Sequence, residues 1–380
     1  MLKRFWFQLH WLMGISAGLI LALVGTTGGL YAFEDRILKL LNPEVTQVHA
    51  GTGPMLEPAE LLARLQVNRP YVSSLTLSGS SGDAARVGFM LPVAGSDKKK
   101  FELHYVNPYT AELLGTPRGE EFFRLALNLH RNLTLGDTGK AVTGASALVL
   151  VFMCLSGLYL RWAGSNAWNW RAWFSVDMKR SGRGFLSDLH AVIASWLLLM
   201  YLLAALTGLY WSYGWYRDWI SNLAMPVAQK NRMHSEMNGG KKAERLDANA
   251  QTAPNLPAVW RSLRAEVAAY DKLIMLLPSR PGQPVQILYV DEHSPHPYAN
   301  SKLALDAHTG EILKREPYAD KTAGGKFLAS IYALHSGSYW GTAGMLAMML
   351  ASLAMPLFAV TGWMMYLARR KSKSISLNPS

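Results

Sequence analysis

Four histidines in this chain are each preceded by leucine and stand beside a long apolar run: Leu9-His10, Leu129-His130, Leu189-His190 and Leu334-His335. An ionisable side chain at a membrane span is costly and points to function. A neutral imidazole nitrogen is also a good ligand for iron, copper or zinc. The four alternate between two kinds. His10 and His190 open an apolar run, and Thr27-Gly28 and Thr207-Gly208 follow, each glycine 18 residues after its histidine. Eighteen residues make five helical turns, so glycine and histidine share one face about 27 Å apart. His130 and His335 instead precede a run. Gly136 and Gly139 follow the first, and Gly341 and Gly344 the second, at offsets of 6 and 9. Ser156-Gly157 and Thr361-Gly362 close these runs, each glycine 27 residues past its histidine. A single membrane histidine is as readily a packing or interfacial residue; four at matched offsets favour a site.

The elements that must position them are helices crossing a bilayer. Phe5 to Phe33, Ala141 to Leu160, Leu189 to Tyr216 and Phe327 to Ala368 lack Asp, Glu, Lys and Arg, and about 20 apolar residues cross the hydrocarbon. Lys3 and Arg4 precede the first run, Arg161, Arg171, Lys179, Arg180 and Arg183 fill the loop between the second and third, and Arg369, Arg370, Lys371 and Lys373 follow the last. Four crossings place all three clusters on one side, the cytoplasm by the positive-inside rule. The net charge of +12 thus reads as topology in an inner membrane, with lipid as a partner and nucleic acid excluded. Both termini are expected in the cytoplasm. Lys3 and Arg4 would suit a signal peptide, but the apolar run is long for one and no small-residue cleavage site precedes Glu34, so an uncleaved helix is expected.

The expected division is 1–33 for the first span, 34–125 for a first periplasmic domain, and 126–162 for an outer histidine segment with the second span. A cytoplasmic loop at 163–185 and the third span at 186–216 follow. A second periplasmic domain occupies 217–326, a second histidine segment with the fourth span 327–368, and a cytoplasmic tail 369–380. Gly119 to His130 aligns with Gly324 to His335 without a gap. Tyr105 to Leu114 resembles Leu303 to Leu313, with Asn107, Thr110 and Glu112 answering Asp306, Thr309 and Glu311. Both read as hairpins. Glu57 to Leu65 and Leu256 to Tyr270 carry helical periodicity, Gly51 to Pro54 and Gly79 to Gly82 read as loops, and Met237 to Gln251 reads as a linker. The fold class expected is a four-helix transmembrane bundle from an internal duplication, with two small α+β periplasmic domains.

Topology pairs His10 with His190 at the cytoplasmic face and His130 with His335 at the outer face. Two histidines from facing helices can supply both axial ligands of one haem, and the apolar bundle shelters the macrocycle. Gly28 and Gly208 then lie beside the outer site and Gly157 and Gly362 beside the inner one, letting a flat ring approach the backbone; close helix packing through small residues is the plainer explanation. Zinc is disfavoured, because two histidines fall short of its three or four protein ligands and no acidic residue recurs beside them. The single Cys154 excludes a disulfide within the chain, an iron–sulfur cluster and c-type haem attachment, and reads as a small buried residue. His293 and His296 read as a solvated loop, and His49, His104, His234 and His308 as surface residues. Met233, His234 and Met237 form at most a weak soft-metal contact. The tryptophans near 162–173 and 211–219 read as interfacial belts.

With the alternating Leu-His spans, the helix ends Thr207 to Tyr210 and Ser156 to Tyr159 and the repeated hairpins, essentially the whole chain resembles the PepSY-associated transmembrane proteins, a group of iron-regulated membrane proteins. Within it the likeness is to siderophore reductases of the FoxB type. That resemblance implies two haem b groups with iron ligands His10, His190, His130 and His335, and reduction of a periplasmic ferric siderophore so that iron is released. No nucleotide fingerprint is present, so the electron donor is external, a quinol or a cytoplasmic reductase. Two other functions compete: a PepSY-type periplasmic regulatory or binding module with structural histidines, and a haem or siderophore transporter, which the lack of mid-span charge weakens.

Overall fold

The computed structural model describes residues 1–49, 53–66, 72–92, 99–163, 168–225, 254–280 and 282–377. The chain divides into two compact units. One joins Met1–Glu34, Glu121–Ile220 and Ile331–Ser380; the other joins Asp35–Glu120 and Ser221–Ser330. The linker expected at Met237 to Gln251 and the group Met233, His234 and Met237 lie outside the described residues, as does part of the loop at Gly51 to Pro54.

In the first unit, four segments are long and apolar enough to cross a membrane: Leu2–Tyr31, Gly136–Trp162, Gly182–Ser212 and Ser338–Arg370, spans 1 to 4. Spans 1 and 3 each pack against spans 2 and 4, closing a ring of four. Leu19, Leu199 and Leu350 are well exposed on the outside, as a lipid-facing surface requires. Inside, Ala17, Leu21, Cys154, Tyr201, Ala351 and Met355 form an apolar seam. The Tyr201 hydroxyl is satisfied there by donating to the Ala351 carbonyl at 2.8 Å, as buried tyrosines usually are.

The fourth apolar run is not one helix. Helix Ala323–Ser336, which carries His335 near its end, stops at Gly337 in the left-handed region. After a turn of 3-10 helix, Gly341–Leu353 and Met355–Leu377 follow with a break at Ala354. Pro356 explains that break, since it has no N–H to offer the Ser352 carbonyl one turn earlier. Helix Glu120–Asn132, carrying His130, is likewise separated from span 2 by a turn with Leu133, Thr134 and Gly136 at positive φ. The repeated glycines make both turns. Gly136 and Gly341, at offset 6, have φ of 59° and 64°, which glycine adopts without strain. A Cβ on Gly139 or Gly344, at offset 9, would collide with the carbonyl of Asn132 or Gly337.

In the second unit the two polar segments do not make two separate α+β bodies. Each contributes four strands to one antiparallel sheet in the order β4-β3-β2-β1-β5-β6-β7-β8. The first segment gives β1 (Val72–Ser78), β2 (Ala85–Pro92), β3 (Lys99–Val106) and β4 (Leu113–Gly115). The second gives β5 (Lys272–Leu276), β6 (Val285–Val290), β7 (Ser301–Leu305) and β8 (Ile312–Glu316). The seam pairs β1 with β5, setting Leu75 opposite Met275, both fully buried. A lone four-stranded meander would leave β1 or β5 as an open apolar edge; joining removes both edges. Helices Pro58–Gln66 and Leu256–Glu266 bury Leu61, Leu62, Val259 and Leu263 in the same core as the strands. The second helix stops at Glu266, short of Tyr270, because Val267 turns to extended backbone.

Both hairpins have the turn their sequences suggested. Asn107 Oδ1 accepts from the Tyr109 N–H at 2.9 Å, and Asp306 Oδ1 from those of His308 and Thr309 at 2.9 and 2.8 Å. Thr110 and Thr309 accept from the N–H of Glu112 and Glu311. Ala111 and Gly310 hold the left-handed position, with φ of 64° and 73°.

Candidate functional site

All four Leu-His histidines lie in the helical unit, and each ring is held by its Nδ1 atom to a neighbouring helix. His10 Nδ1 lies 2.7 Å from Ser156 Oγ, His190 Nδ1 2.8 Å from Thr361 Oγ1, and His335 Nδ1 2.9 Å from Thr207 Oγ1. His130 Nδ1 lies 2.8 Å from the Val24 carbonyl. The direction of these bonds follows from proton counting. A carbonyl only accepts, so His130 donates. Each hydroxyl has one proton, and each gives it to its own helix: Ser156 to Met153 O, Thr361 to Leu357 O and Thr207 to Leu203 O, at 3.3, 2.7 and 2.5 Å. Each hydroxyl therefore accepts from its histidine. Each of the four rings thus has its Nδ1 committed to an acceptor on a neighbouring helix. Metal-ligating histidines are typically held in this way by a second partner.

Two of the rings come together from different helices, and the other two line one cavity. His130 and His335 have ring centres 6.0 Å apart, tilted by 57°. Two imidazoles clasping one metal at about 2 Å each would have ring centres roughly 6 Å apart. His10 and His190 line a single cavity of about 1700 Å3 between the spans. Along span 1, His10 and Val24 are 14 residues apart, about 21 Å of helix, so the two pairs occupy opposite ends of the bundle. Between them, Phe358 stands 5.0 Å from the His190 ring and 5.6 Å from Tyr201. At the other end Trp211 stands 5.4 Å from His335.

The four glycines have distinct surroundings. A Cβ on Gly28 would lie 2.7 Å from His130 Cε1, and one on Gly157 or Gly208 would lie 3.4 Å from Cε1 of His10 or His335. These three make room first for the imidazole edge itself. Gly362 has nothing within 4 Å of its missing Cβ and borders the cavity that His190 lines.

The donor set suits a macrocycle-bound metal better than a bare ion. Among the described residues no group of three or more His, Cys, Asp or Glu is placed to hold a metal. Each histidine pair would supply two imidazole nitrogens, and a haem would bring the remaining ligands itself. The cavity at His10 and His190 has apolar residues from the spans and a basic rim that includes Arg161, Lys179 and Arg183.

Compared with known protein families, residues 7–369 match the PepSY-associated TM region. The chain belongs to that family. A comparison with curated proteins finds no match. As a member of the PepSY-associated family with four apolar spans, the chain is a membrane protein.

In this PepSY-associated chain the hydroxyls beside the glycines have a role that the sequence did not assign them. Ser156, Thr207 and Thr361 each stand just before one of the singled-out glycines, and each holds a histidine. Their repetition was the available signal. Thr27, at the position matching Thr207, donates to the carbonyls of Leu23 and Val24 and leaves His130 to the backbone. Other histidines differ from expectation, among them His308, which is half-buried. His296 is not solvated: it is 4% exposed, and burial lowers its affinity for a proton. Its Nδ1 accepts from the Tyr298 N–H, so Nε2–H donates to Ser330 Oγ at 2.9 Å. His104 is half-buried beside Glu102 at 3.2 Å, while His293 is exposed.

Proposed function

We propose that the chain arose by internal duplication and is an inner-membrane di-haem b reductase that passes single electrons across the bilayer to a periplasmic ferric siderophore. In this reading His10 and His190 hold iron at the cytoplasmic end and His130 and His335 at the periplasmic end. The observation that carries it is the placement of the imidazoles: each has Nδ1 held by a neighbouring helix, two have ring centres 6.0 Å apart, and the other two line one cavity. The orientation follows from the basic clusters, and the sheet unit then faces the periplasm. When bound, haem supplies a one-electron couple that an apolar bundle cannot supply itself.

The residues of the chain perform the remaining work. Ser156, Thr361, Thr207 and the Val24 carbonyl orient the rings and fix their tautomer. The seam of Ala17, Leu21, Cys154 and Met355 excludes water from the path between the two ends. The substrate Fe(III), bound in a chelate of hard oxygen ligands, accepts one electron and becomes Fe(II), which such ligands hold much less firmly. The electron comes from an external quinol or reductase.

An absorption spectrum of the purified protein tests this reading. Two haem b per chain, reducible by dithionite and reoxidised by a ferric hydroxamate or catecholate chelate, are expected. A protein that is colourless and takes up no haem would leave a regulatory or binding module instead.

A further inference from the structure

One polar atom in the wall of the His10/His190 cavity has no partner. Arg161, at the end of span 2, lines this cavity. One of its terminal nitrogens donates to the Ala172 carbonyl, and the guanidinium lies 5.4 Å from the centre of the Trp173 ring. Its Nε is buried and, among the described residues, is the one buried side-chain nitrogen or oxygen without a hydrogen-bond partner. Buried N–H groups are rarely left without an acceptor in native proteins, so this one calls for an acceptor that the described residues do not provide. Other cations line the same cavity: Arg180 lies 3.4 Å from Asp177 and 3.9 Å from Asp188, Lys3 donates to the Ala163 carbonyl, and Arg4, Arg171, Lys179, Arg183 and Arg369 complete the set. Arg161 is the one with a buried N–H lacking an acceptor among the described residues.

Position supplies the second argument. Arg161 is four residues after Gly157, the glycine beside the His10 ring, so it lies on the same helix face one turn on, about 6 Å along the axis. A flat group clasped at His10 and lying along Gly157 would extend its edge to this guanidinium. At the matching offset from Gly362 stands Tyr366, which lines the same cavity. At the other pair the corresponding residues after Gly28 and Gly208 are Ala32 and Ser212, which carry no charge.

We propose that Arg161 receives a propionate carboxylate of the haem held by His10 and His190, through its Nε–H and a second guanidinium N–H, and thereby sets that haem's edge and potential. The inference rests on the di-haem reading. A fixed positive charge beside the macrocycle favours the reduced, more negative state, so removing it must lower the potential of one haem.

The test uses the full-length protein in detergent, with haem content measured as the pyridine haemochrome and potentials by optical redox titration. In Arg161→Gln, one of the two haems should be lost, or should favour reduction about tenfold less, which is ~59 mV for a one-electron couple. The other haem should not move. Arg161→Lys keeps the charge without the planar fork and should fall between; it also serves if the glutamine variant does not accumulate. Arg180→Gln, a rim charge already paired, should shift either haem less than Arg161→Gln does. Reconstitution with the haem dimethyl ester, whose propionates are blocked, should abolish the difference in haem retention between wild type and Arg161→Gln. Unchanged content and potentials in Arg161→Gln, or shifts matched by Arg180→Gln, would overturn the assignment while leaving the di-haem reading in place. A wild-type protein unable to bind haem would overturn both.

Discussion

The first and second halves of this chain use matched positions to reach the same arrangement by different chemistry. At one histidine pair the second half holds His335 with the Thr207 hydroxyl as well as the Ala204 backbone, whereas the first half holds His130 with the Val24 backbone carbonyl, at the position matching Ala204. Span 2 runs unbroken from Gly136 to Trp162, while its counterpart breaks at Ala354 before Pro356. In the sheet, one hairpin has Asn107 and Ala111 where the other has Asp306 and Gly310. The ring geometry survives these exchanges because what it needs is an acceptor at Nδ1 and a helix at the right distance. Which residue supplies the acceptor is free to change.

The largest effect that could break this comparison is loss of a ring. His130→Ala or His335→Ala should each remove the haem at one end, and His10→Ala or His190→Ala the haem at the other, with the remaining haem intact. Haem content should halve, and paramagnetic resonance should show one low-spin signal in place of two. Loss of both haems from every variant would mean that the four histidines do not form two independent pairs.

The next effect exploits the Val24 exception. Ser156→Ala and Thr361→Val each remove the hydroxyl acceptor of one histidine and should weaken haem retention there by about 10–100-fold, the usual cost of losing a ligand's outer partner. Thr207→Val should cost less, because the Ala204 backbone also bonds His335. Thr27→Val should cost almost nothing, although Thr27 matches Thr207, because Thr27 bonds only to its own helix. Haem transfer to apomyoglobin, timed for each variant, measures this. Equal loss in all four would show that Thr27 also serves a histidine.

The glycines separate the halves in another way. Gly28→Ala would bring a methyl within 2.7 Å of the His130 ring, so it should displace that imidazole whether or not anything is bound. Gly362→Ala meets no protein atom within 4 Å. It should leave the unloaded protein as stable as wild type by thermal unfolding, and yet lower haem occupancy at the His10/His190 end. If Gly362→Ala changes neither, that face of span 4 is open for another reason.

Much of this was legible in the residues, and the gaps have physical causes. Charge-free runs and clustered basic residues reveal spans because a bilayer tolerates so few alternatives. Offsets of 6 and 9 were visible as a repeat but not as turns, although backbone with positive φ or a close carbonyl is what demands glycine at those positions. The joining of two four-stranded meanders into one sheet was not legible, since β1 and β5 each alternate like any half-buried strand and nothing local names the partner. The acceptor at His130 was equally hidden: a backbone carbonyl has no residue signature. Pro356 was visible, but an apolar run containing proline gives no sign whether the helix bends or restarts. His296 seemed a loop residue by its Ser and Pro neighbours, and its burial depends on Tyr298, Tyr318 and Ser330, the last of them 34 residues away.

The smallest effects lie in the hairpins, where the halves differ by single atoms. Ala111 holds a left-handed conformation that costs an ordinary residue about 1–2 kcal/mol, partly offset by the greater chain entropy that glycine would lose. Ala111→Gly should therefore stabilise its turn by about 0.5 kcal/mol. The reverse change, Gly310→Ala, meets the same strain, and its Cβ would also lie 2.6 Å from the Ala258 carbonyl group, so it should destabilise by about 1–3 kcal/mol. Hydrogen exchange of peptides spanning the two turns reads both. Acid should separate the hairpins further. Asp306 is held below the usual carboxylate range, first by the Thr309 and His308 backbone N–H groups that its carboxylate accepts. A depressed folded value means that this contribution is complete above the unfolded value near about 4 and disappears as pH falls through the folded one. Asn107 makes the corresponding bond to Tyr109 without titrating. Once corrected for intrinsic exchange rates, protection at residues 306–311 should thus decline below pH ~4 while protection at 107–112 holds. A parallel decline in both turns would trace acid sensitivity to the shared sheet rather than to this one carboxylate.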